Sequence, residues 1–472
     1  MIGEGCSQYA VSVMEMDAYG VTSKRYNLQE RTSASSATFY GMHDREYPQE
    51  ELHKWRLWSH VTFVMITVFI ILGYIAMKDA GLTADEGWHA NQITMFVQGK
   101  WAMDPGLTTI PGFHAVVAFI AMIVGEHSLG FLRFLSLLIS LAGIGACRSI
   151  LLRTTPRLVV VRLWQVALIP ILFPFFFLLY TDVTALTLVL WGIVFFLDRR
   201  YTTAFILIGL SILVRQMNII WFLFVVIAWL MQEHRSVFLP LWLHHSDSKK
   251  IMLALRRIRF TKRDMLRIAL VVSIILLFVI FVVFNGGIAI GDQGSHPFPG
   301  IHLGNIFFMA GIFTVLFLPY VLSTLPAIVR HVRHTTWVIP ALVALFTIYM
   351  ITAWNSHYYN QDIHSYFIHN RLLAFTTSSP WTQVGVFGLI ALGIASFMTT
   401  RLQKPWTLLL PATILCLLPS WLIEQRYYII PYVLFLLFRA PGSLRVERSM
   451  VLYEAILCGA LFWMITWRTL FV

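Results

Sequence analysis

The chain has 472 residues, of which 58% are hydrophobic and only 12% charged, with a formal net charge of +12. Soluble globules carry about 25% charged residues, so a water-soluble globule is excluded and the bilayer must be the main solvent. In such a chain excess Lys and Arg report orientation, which removes the basic balance as an argument for nucleic-acid binding.

Residues 1–57 are polar and Ser-rich, with no apolar core near the start of the kind a cleavable signal has. They read as a flexible cytosolic tail. Residues 58–472 read as a single multispan domain. A crossing helix needs about 20 apolar residues, and candidate runs lie at 61–77, 129–147, 158–179, 183–197, 203–214, 217–231, 268–284, 303–329, 337–353, 381–398, 406–422, 427–438 and 451–467. The fold class is therefore all-α: a polytopic membrane protein of about 13 transmembrane helices. Runs 203–214 and 217–231 form a predicted helical hairpin meeting at the polar group RQMN.

Residues 113–125 (FHAVVAFIAMIVG) are long enough for a helix but short for a span. If they lie at the interface without crossing, the side that holds the N-terminus collects 28 of the 35 Lys and Arg, including the dense stretch 249–263. If they crossed, the tail and that stretch would face opposite compartments, against the positive-inside rule. An interfacial helix is the expectation, and the loop carrying it faces the non-cytosolic side.

That sorting gathers the polar segments on one non-cytosolic face. In LTADEGWH (82–89), the adjacent carboxylates of Asp85 and Glu86 repel, which raises the pKa of one and suits it to proton abstraction near neutral pH. A solvated loop acid is the plain alternative. Asp85 and His89 are i,i+4, but DExxH is not the zinc motif HExxH and makes a weak metal signal. Asp104 sits in MDPGLTTIPG (103–112), where an ordinary Asx turn competes with a functional role. Asp182, after Tyr180-Thr181, equally suits a helix cap. Arg215, Gln216 and Asn218 interrupt an apolar stretch. A guanidinium there binds a phosphate in bidentate fashion or snorkels to the interface. Asp292 and His296 follow the permissive loop NGG at 285–287. His357, His364 and His369 lie near Asn370 and Arg371 without metal-ligand spacing. Glu424 and Arg426 precede Tyr427 and Tyr428, which also suit an interfacial aromatic belt. Cys6, Cys147, Cys416 and Cys458 show no metal spacing and read as free thiols.

The segments ADEGWHANQ (84–92), MDPGLTTIPG (103–112), YTD (180–182), RQMNIIW (215–221), NGGIAIGDQGSH (285–296), HNR (369–371) and EQRYYIIPY (424–432), in that order, resemble the GT-C glycosyltransferases. The likeness is greatest to the endoplasmic-reticulum family of dolichyl-phosphate-glucose-dependent α-1,2-glucosyltransferases, and it covers roughly residues 60 to 440. Two departures stand out: HSYFIHNRLLA replaces the family's HPxLLADNRHY, and Glu-Gln-Arg-Tyr replaces Glu-Pro-Arg-Tyr at 424–427.

The resemblance implies a β-linked dolichyl-phosphate glucose donor, a dolichol-linked oligosaccharide acceptor and an α-1,2 product, hence an inverting displacement without a glycosyl-enzyme. It implies Asp85 as base, with Glu86 or Asp104 as runner-up. Arg215, Gln216, Asn218, Asp292, His296, Arg371 and Arg426 fall to the donor phosphate and sugar. His89, Asp182, His364, Asn370, Glu424 and Tyr427 fall to the acceptor or the surrounding shell. Because the leaving phosphate carries no nucleotide, no metal is expected. The rival readings are another polyprenyl-phosphate-sugar transferase, bacterial ones included, a multispan transporter, and a membrane acyltransferase resting on HNR alone. Transporters show internal repeats and polar groups at mid-span, whereas here the polar groups collect at one set of helix ends.

Overall fold

The computed structural model describes residues 48–233, 260–297, 300–352, 356–361 and 367–471. These belong to the unit Pro48–Val472. The tail up to residue 47, most of the basic stretch 249–263 and His364 lie outside the described residues.

The chain runs through α1 (Gln49–Met77), α2 (Glu86–Val97), α3 (Gly112–Val124), α4 (Leu129–Thr154), α5 (Val159–Ala167), α6 (Thr181–Leu197), α7 (Tyr201–Ile212) and α8 (Ile219–Glu233). It continues with α9 (Lys262–Asn285), α10 (Gly304–Leu316), α11 (Leu318–His334), α12 (Val338–Thr352), α13 (Tyr358–Gln361) and α14 (Ile368–Thr376). The last four helices are α15 (Pro380–Thr399), α16 (Leu409–Leu417), α17 (Ile429–Phe438) and α18 (Leu444–Thr466). No strand occurs among the described residues. Residues 49–57, expected in the tail, form the first turns of α1.

Among the described residues, six helices are long and apolar enough to cross a membrane: α1, α4, Gln216–Glu233 with α8, α9, α15 and α18. The expected run 303–329 is instead two helices, α10 and α11, bent by 103°. Pro319 in the first turn of α11 explains the bend, because it cannot donate into a helix continuing from α10. Run 158–179 is also broken: α5 ends at Ala167, and a short 3-10 turn, Phe173–Phe176, follows between Pro170 and Tyr180. This non-helical stretch is almost wholly buried. Its amides stay satisfied through local turns, Phe173 to the Ile169 carbonyl (3.0 Å) and Leu178 to the Pro174 carbonyl (3.1 Å). Irregular backbone is tolerated at depth only when covered by protein in this way.

The core is built around α17, in which all ten residues are buried. A helix apolar on every side has no water-facing stripe and sits inside a bundle. The lipid-facing elements show the opposite: on α9, Leu266 and Phe284 are 72% and 87% exposed. Helix α3 is two-faced. Phe113, His114 and Val117 are buried, while Val116, Phe119 and Ile123 are exposed. An exposed apolar stripe on a 13-residue helix suits an element lying along a bilayer surface. Close backbone approach locks two helices: a Cβ on Gly393 of α15 would meet the Ala310 carbonyl oxygen of α10 at 2.1 Å.

Candidate active site

The loops at one end of the bundle are tied together by backbone and amide bonds. Gly112 donates to the Leu213 carbonyl (3.0 Å), and Ile290 donates to that of Thr108 (3.1 Å). The Gln216 amide donates to the carbonyls of Thr108 (2.6 Å) and Ile288 (3.1 Å), joining three loops at once. Gly291 has φ +70°, and a Cβ there would lie 2.3 Å from the Leu107 oxygen, so only glycine allows this packing. Between these loops lies a cavity lined by Asp182, Arg215, Gln216, Asn218, His296, Arg426 and Tyr427 among others. Its lining also has an apolar part, with Trp221, Leu417, Ile429 and Ile430.

Two guanidinium groups dominate its electrostatics. Arg426 donates through Nε to Glu424 (2.6 Å) and through Nη2 to Asp85 (2.6 Å), and its guanidinium lies over the Tyr180 ring at 5.6 Å. Arg215 pairs with Asp182 and lies 5.5 Å over the Tyr427 ring. Burial and the neighbouring Arg426 lower the pKa of Arg215. Burial also raises that of Glu424, against the opposing pull of Arg426. The second oxygen of Asp182 is buried with no partner among the described residues, although Asp182 lies in the first turn of α6, where the helix dipole favours an anion.

Asp85 and Glu86 are neighbours in sequence and differ in setting. The Asp85 side chain is 41% exposed at the cavity rim, with one oxygen on Arg426. The Glu86 side chain is fully buried and turned away. It accepts from Arg133 Nε (2.9 Å) and Nη2 (2.5 Å) and from the amides of Thr83 (2.9 Å) and Leu179 (2.8 Å). Arg133 further donates to the carbonyls of Met77 (2.5 Å), Ala80 (2.7 Å) and Gly81 (3.1 Å). This knot fixes the chain from the end of α1 to the start of α2. Tyr180 completes it, donating to the Thr83 carbonyl (3.1 Å) and accepting from the Asp85 amide (3.0 Å).

His89 faces inward one turn beyond Asp85 and shares a hydrogen bond with His114 of α3, Nδ1 to Nε2, 2.9 Å. Burial lowers the pKa of both, that of His114 to about 3. Burial likewise takes cavity-lining His296 down to about 4. Asp104 is buried in a local turn, accepting from Asn91 (2.6 Å) and the Gly106 amide (2.9 Å), and does not border the cavity. Asp292 accepts from Ser295 and from the Tyr359 hydroxyl (3.0 Å) outside the lining. Asn370 is buried and donates to the Tyr359 carbonyl (3.2 Å), whereas Arg371 is exposed. The structure thus brings Asp85, Asp182, Arg215, Gln216, Asn218, His296, Glu424, Arg426 and Tyr427 together, and leaves Glu86, Asp104, Asp292, Asn370 and Arg371 outside. Among the described residues, no group of three His, Cys, Asp or Glu side chains has metal-site geometry.

Sequence reasoning passed over Arg133, His114 and Tyr180. For Arg133 a signal was present, a lone cation inside an apolar run, which generally marks a paired or functional group.

Residues 81–437 match the DIE2/ALG10 family. The chain belongs to the DIE2/ALG10 family. A human relative, Dol-P-Glc:Glc(2)Man(9)GlcNAc(2)-PP-Dol alpha-1,2-glucosyltransferase, is 26% identical over 397 residues, covering 74% of this chain and 82% of its own. The protein of the same name from Drosophila melanogaster is 25% identical over 81% of this chain and 88% of its own. That from Candida albicans is 30% identical over 58% and 61%. No solved structure matches the chain significantly. The DIE2/ALG10 match begins at Gly81, on the Asp85 turn, and ends inside α17, so it contains every residue lining the cavity.

Proposed function

We propose that this member of the DIE2/ALG10 family transfers glucose from dolichyl-phosphate glucose to the 2-hydroxyl of the terminal glucose of dolichol-linked oligosaccharide, with inversion. The names of its relatives give the donor, the acceptor and the α-1,2 linkage. The observation that carries the reading here is Arg426, held between Asp85 and Glu424 at the rim of a cavity that Arg215 also lines. Guanidinium forks match phosphate oxygens, so Arg215 and Arg426 hold the donor phosphate, with Gln216, Asn218 and His296 shaping the walls. The apolar part of the lining takes the first isoprene units.

Asp85, at the exposed rim, is the base. It removes the proton of the acceptor hydroxyl as that oxygen bonds to C1 of glucose, and the C1–oxygen bond to phosphate breaks with its electrons leaving on dolichyl phosphate. Arg426 orients the carboxylate and then meets the charge developing on the leaving group. The phosphate departs without nucleotide, so the step requires no metal. Glu86, saturated and enclosed, has a structural role, and Asp182 holds Arg215.

In this reading the chain sits in the endoplasmic-reticulum membrane as a polytopic enzyme of the GT-C type, with α3 as the interfacial helix of the first lumenal loop. The Lys and Arg distribution supports an active site that opens to the lumen and an N-terminus in the cytosol. The test is glucosyl transfer by the purified chain from dolichyl-phosphate glucose to diglucosylated lipid-linked oligosaccharide. Wild type is expected to form the triglucosylated product, and Asp85→Asn to lose about 10²–10⁴-fold in turnover with an unchanged melting temperature. Uptake of substrate into vesicles without product would refute the transferase; full turnover by Asp85→Asn would refute the base.

A further inference from the structure

Beside the cavity mouth lies a second feature outside its lining. His357, Tyr358, Tyr359, Trp421 and His302 form one packed ring cluster, in which His357 is buried, Trp421 and His302 are partly exposed and the two tyrosines face outward. The rings of Tyr358 and Tyr359 are 4.3 Å apart, His357 stacks on Tyr358 at 4.8 Å and 18°, and Trp421 meets His357 at 4.7 Å. His302 stacks with Trp421 at 6.1 Å. Tyr358 and Tyr359 are 48% and 50% exposed. The surface is braced underneath: His357 bonds the Ser295 carbonyl (2.9 Å), and Trp421 donates to Ser356 (2.9 Å). A carboxylate stands among the rings, since Asp292 accepts from Tyr359 (3.0 Å) and from Ser295, which also contacts the Tyr358 hydroxyl.

The shelf continues the cavity wall. Ser295 and Trp421 directly adjoin His296 and Ser420, which line the cavity. Belt aromatics of a membrane interface have no need of a buried brace or a central carboxylate. Sugars match this surface. A pyranose has an apolar C–H face that lies on an aromatic ring and a rim of hydroxyls that donate to a carboxylate, and an exposed aromatic patch of this size marks a binding surface.

We propose that this shelf is the subsite for the oligosaccharide of the acceptor behind its terminal glucose, with the rings of Tyr358, Tyr359 and Trp421 under pyranose faces and Asp292 accepting their hydroxyls. The assignment rests on the glucosyl-transfer reading and adds to it a specificity surface for an extended glycan.

The test uses the full chain in detergent with Tyr358→Ala, Tyr359→Ala and Trp421→Ala. Each is expected to raise the KM for lipid-linked oligosaccharide about tenfold, the scale of losing one aromatic anchor, while the KM for dolichyl-phosphate glucose stays in place. Tyr358→Phe retains the ring and restores most of the loss. The water-soluble oligosaccharide released from the acceptor inhibits wild type competitively against acceptor, and its inhibition constant rises in step in the variants. Unchanged acceptor KM, or a rise in both KM values together, overturns the assignment. Binding of the released oligosaccharide, read by quenching of tryptophan fluorescence and abolished by Tyr358→Ala, needs no turnover. A shelf that fails to bind is thereby separable from a chain that fails to transfer glucose, and quenching unaffected by Tyr358→Ala also overturns the assignment.

Discussion

The two ends of α17 carry charge clusters of opposite character. At its N-terminal end, Arg426 divides its donors between Asp85 and Glu424, beside the Arg215–Asp182 pair, at a cavity where Asp85 remains 41% exposed. At its C-terminal end, Arg439 and Arg162 share Glu447 of α18, and all three side chains are fully buried. Glu447 accepts from Arg439 (2.5 and 2.9 Å), from Gln165 (2.9 Å) and from the Gly442 amide (3.0 Å). The closed cluster resembles the Glu86–Arg133 knot: a carboxylate with its lone pairs filled by the chain itself. Exposure at a cavity, with donors still available, separates groups able to meet a substrate from groups that only hold helices together.

Substitutions in the two clusters should therefore have different consequences. The largest effect expected is the Asp85→Asn loss of turnover, with folding intact. Glu447→Ala should do the reverse. It strands two buried guanidinium groups, a change that typically costs about 3–5 kcal/mol, and thermal unfolding in detergent would record it. Activity per folded molecule should stay within about twofold of wild type, because none of these side chains lines the cavity. Unaltered stability would mean the arginines find other partners.

Arg215→Lys tests the open cluster more finely. The charge persists, but the planar fork is lost. A rise of roughly 10- to 100-fold in donor KM is expected, on the scale of one charged hydrogen bond, with little change for the acceptor. Kinetics varying each substrate in turn would show an equal rise in both if Arg215 merely supported the fold.

The smallest effect concerns the His89–His114 pair. Burial holds the folded His114 at about 3, against about 6.5 in an unfolded chain. As pH falls below about 6.5 the unfolded chain therefore binds protons that the folded one refuses, so stability is complete above that value and declines towards pH 3. Melting temperatures measured between pH 7.5 and 5 should fall, and His114→Asn should flatten the slope. An equal slope in the variant would assign the decline to other groups.

Some of this was readable in advance. The short run 113–125 forms a separate amphipathic helix, and RQMN forms the turn between α7 and α8, because hydrophobic period and polar interruption are local properties. The bend at Pro319 is equally local, yet a uniform apolar run concealed it. The roles of Asp85 and Glu86 were not readable. Both are acids in one turn, and only the position of Arg133, 47 residues away from Glu86, encloses one of them in a buried ion pair.

By itself the sequence determined the solvent of this protein, the helical character of its spans and the set of polar segments from which a site had to be drawn. Those follow from composition and short-range periodicity. The tertiary structure alone decided which members of that set converge. Arg426 reaches Asp85 across 341 positions of chain, and a contact of that separation depends on how helices pack, which no local pattern encodes.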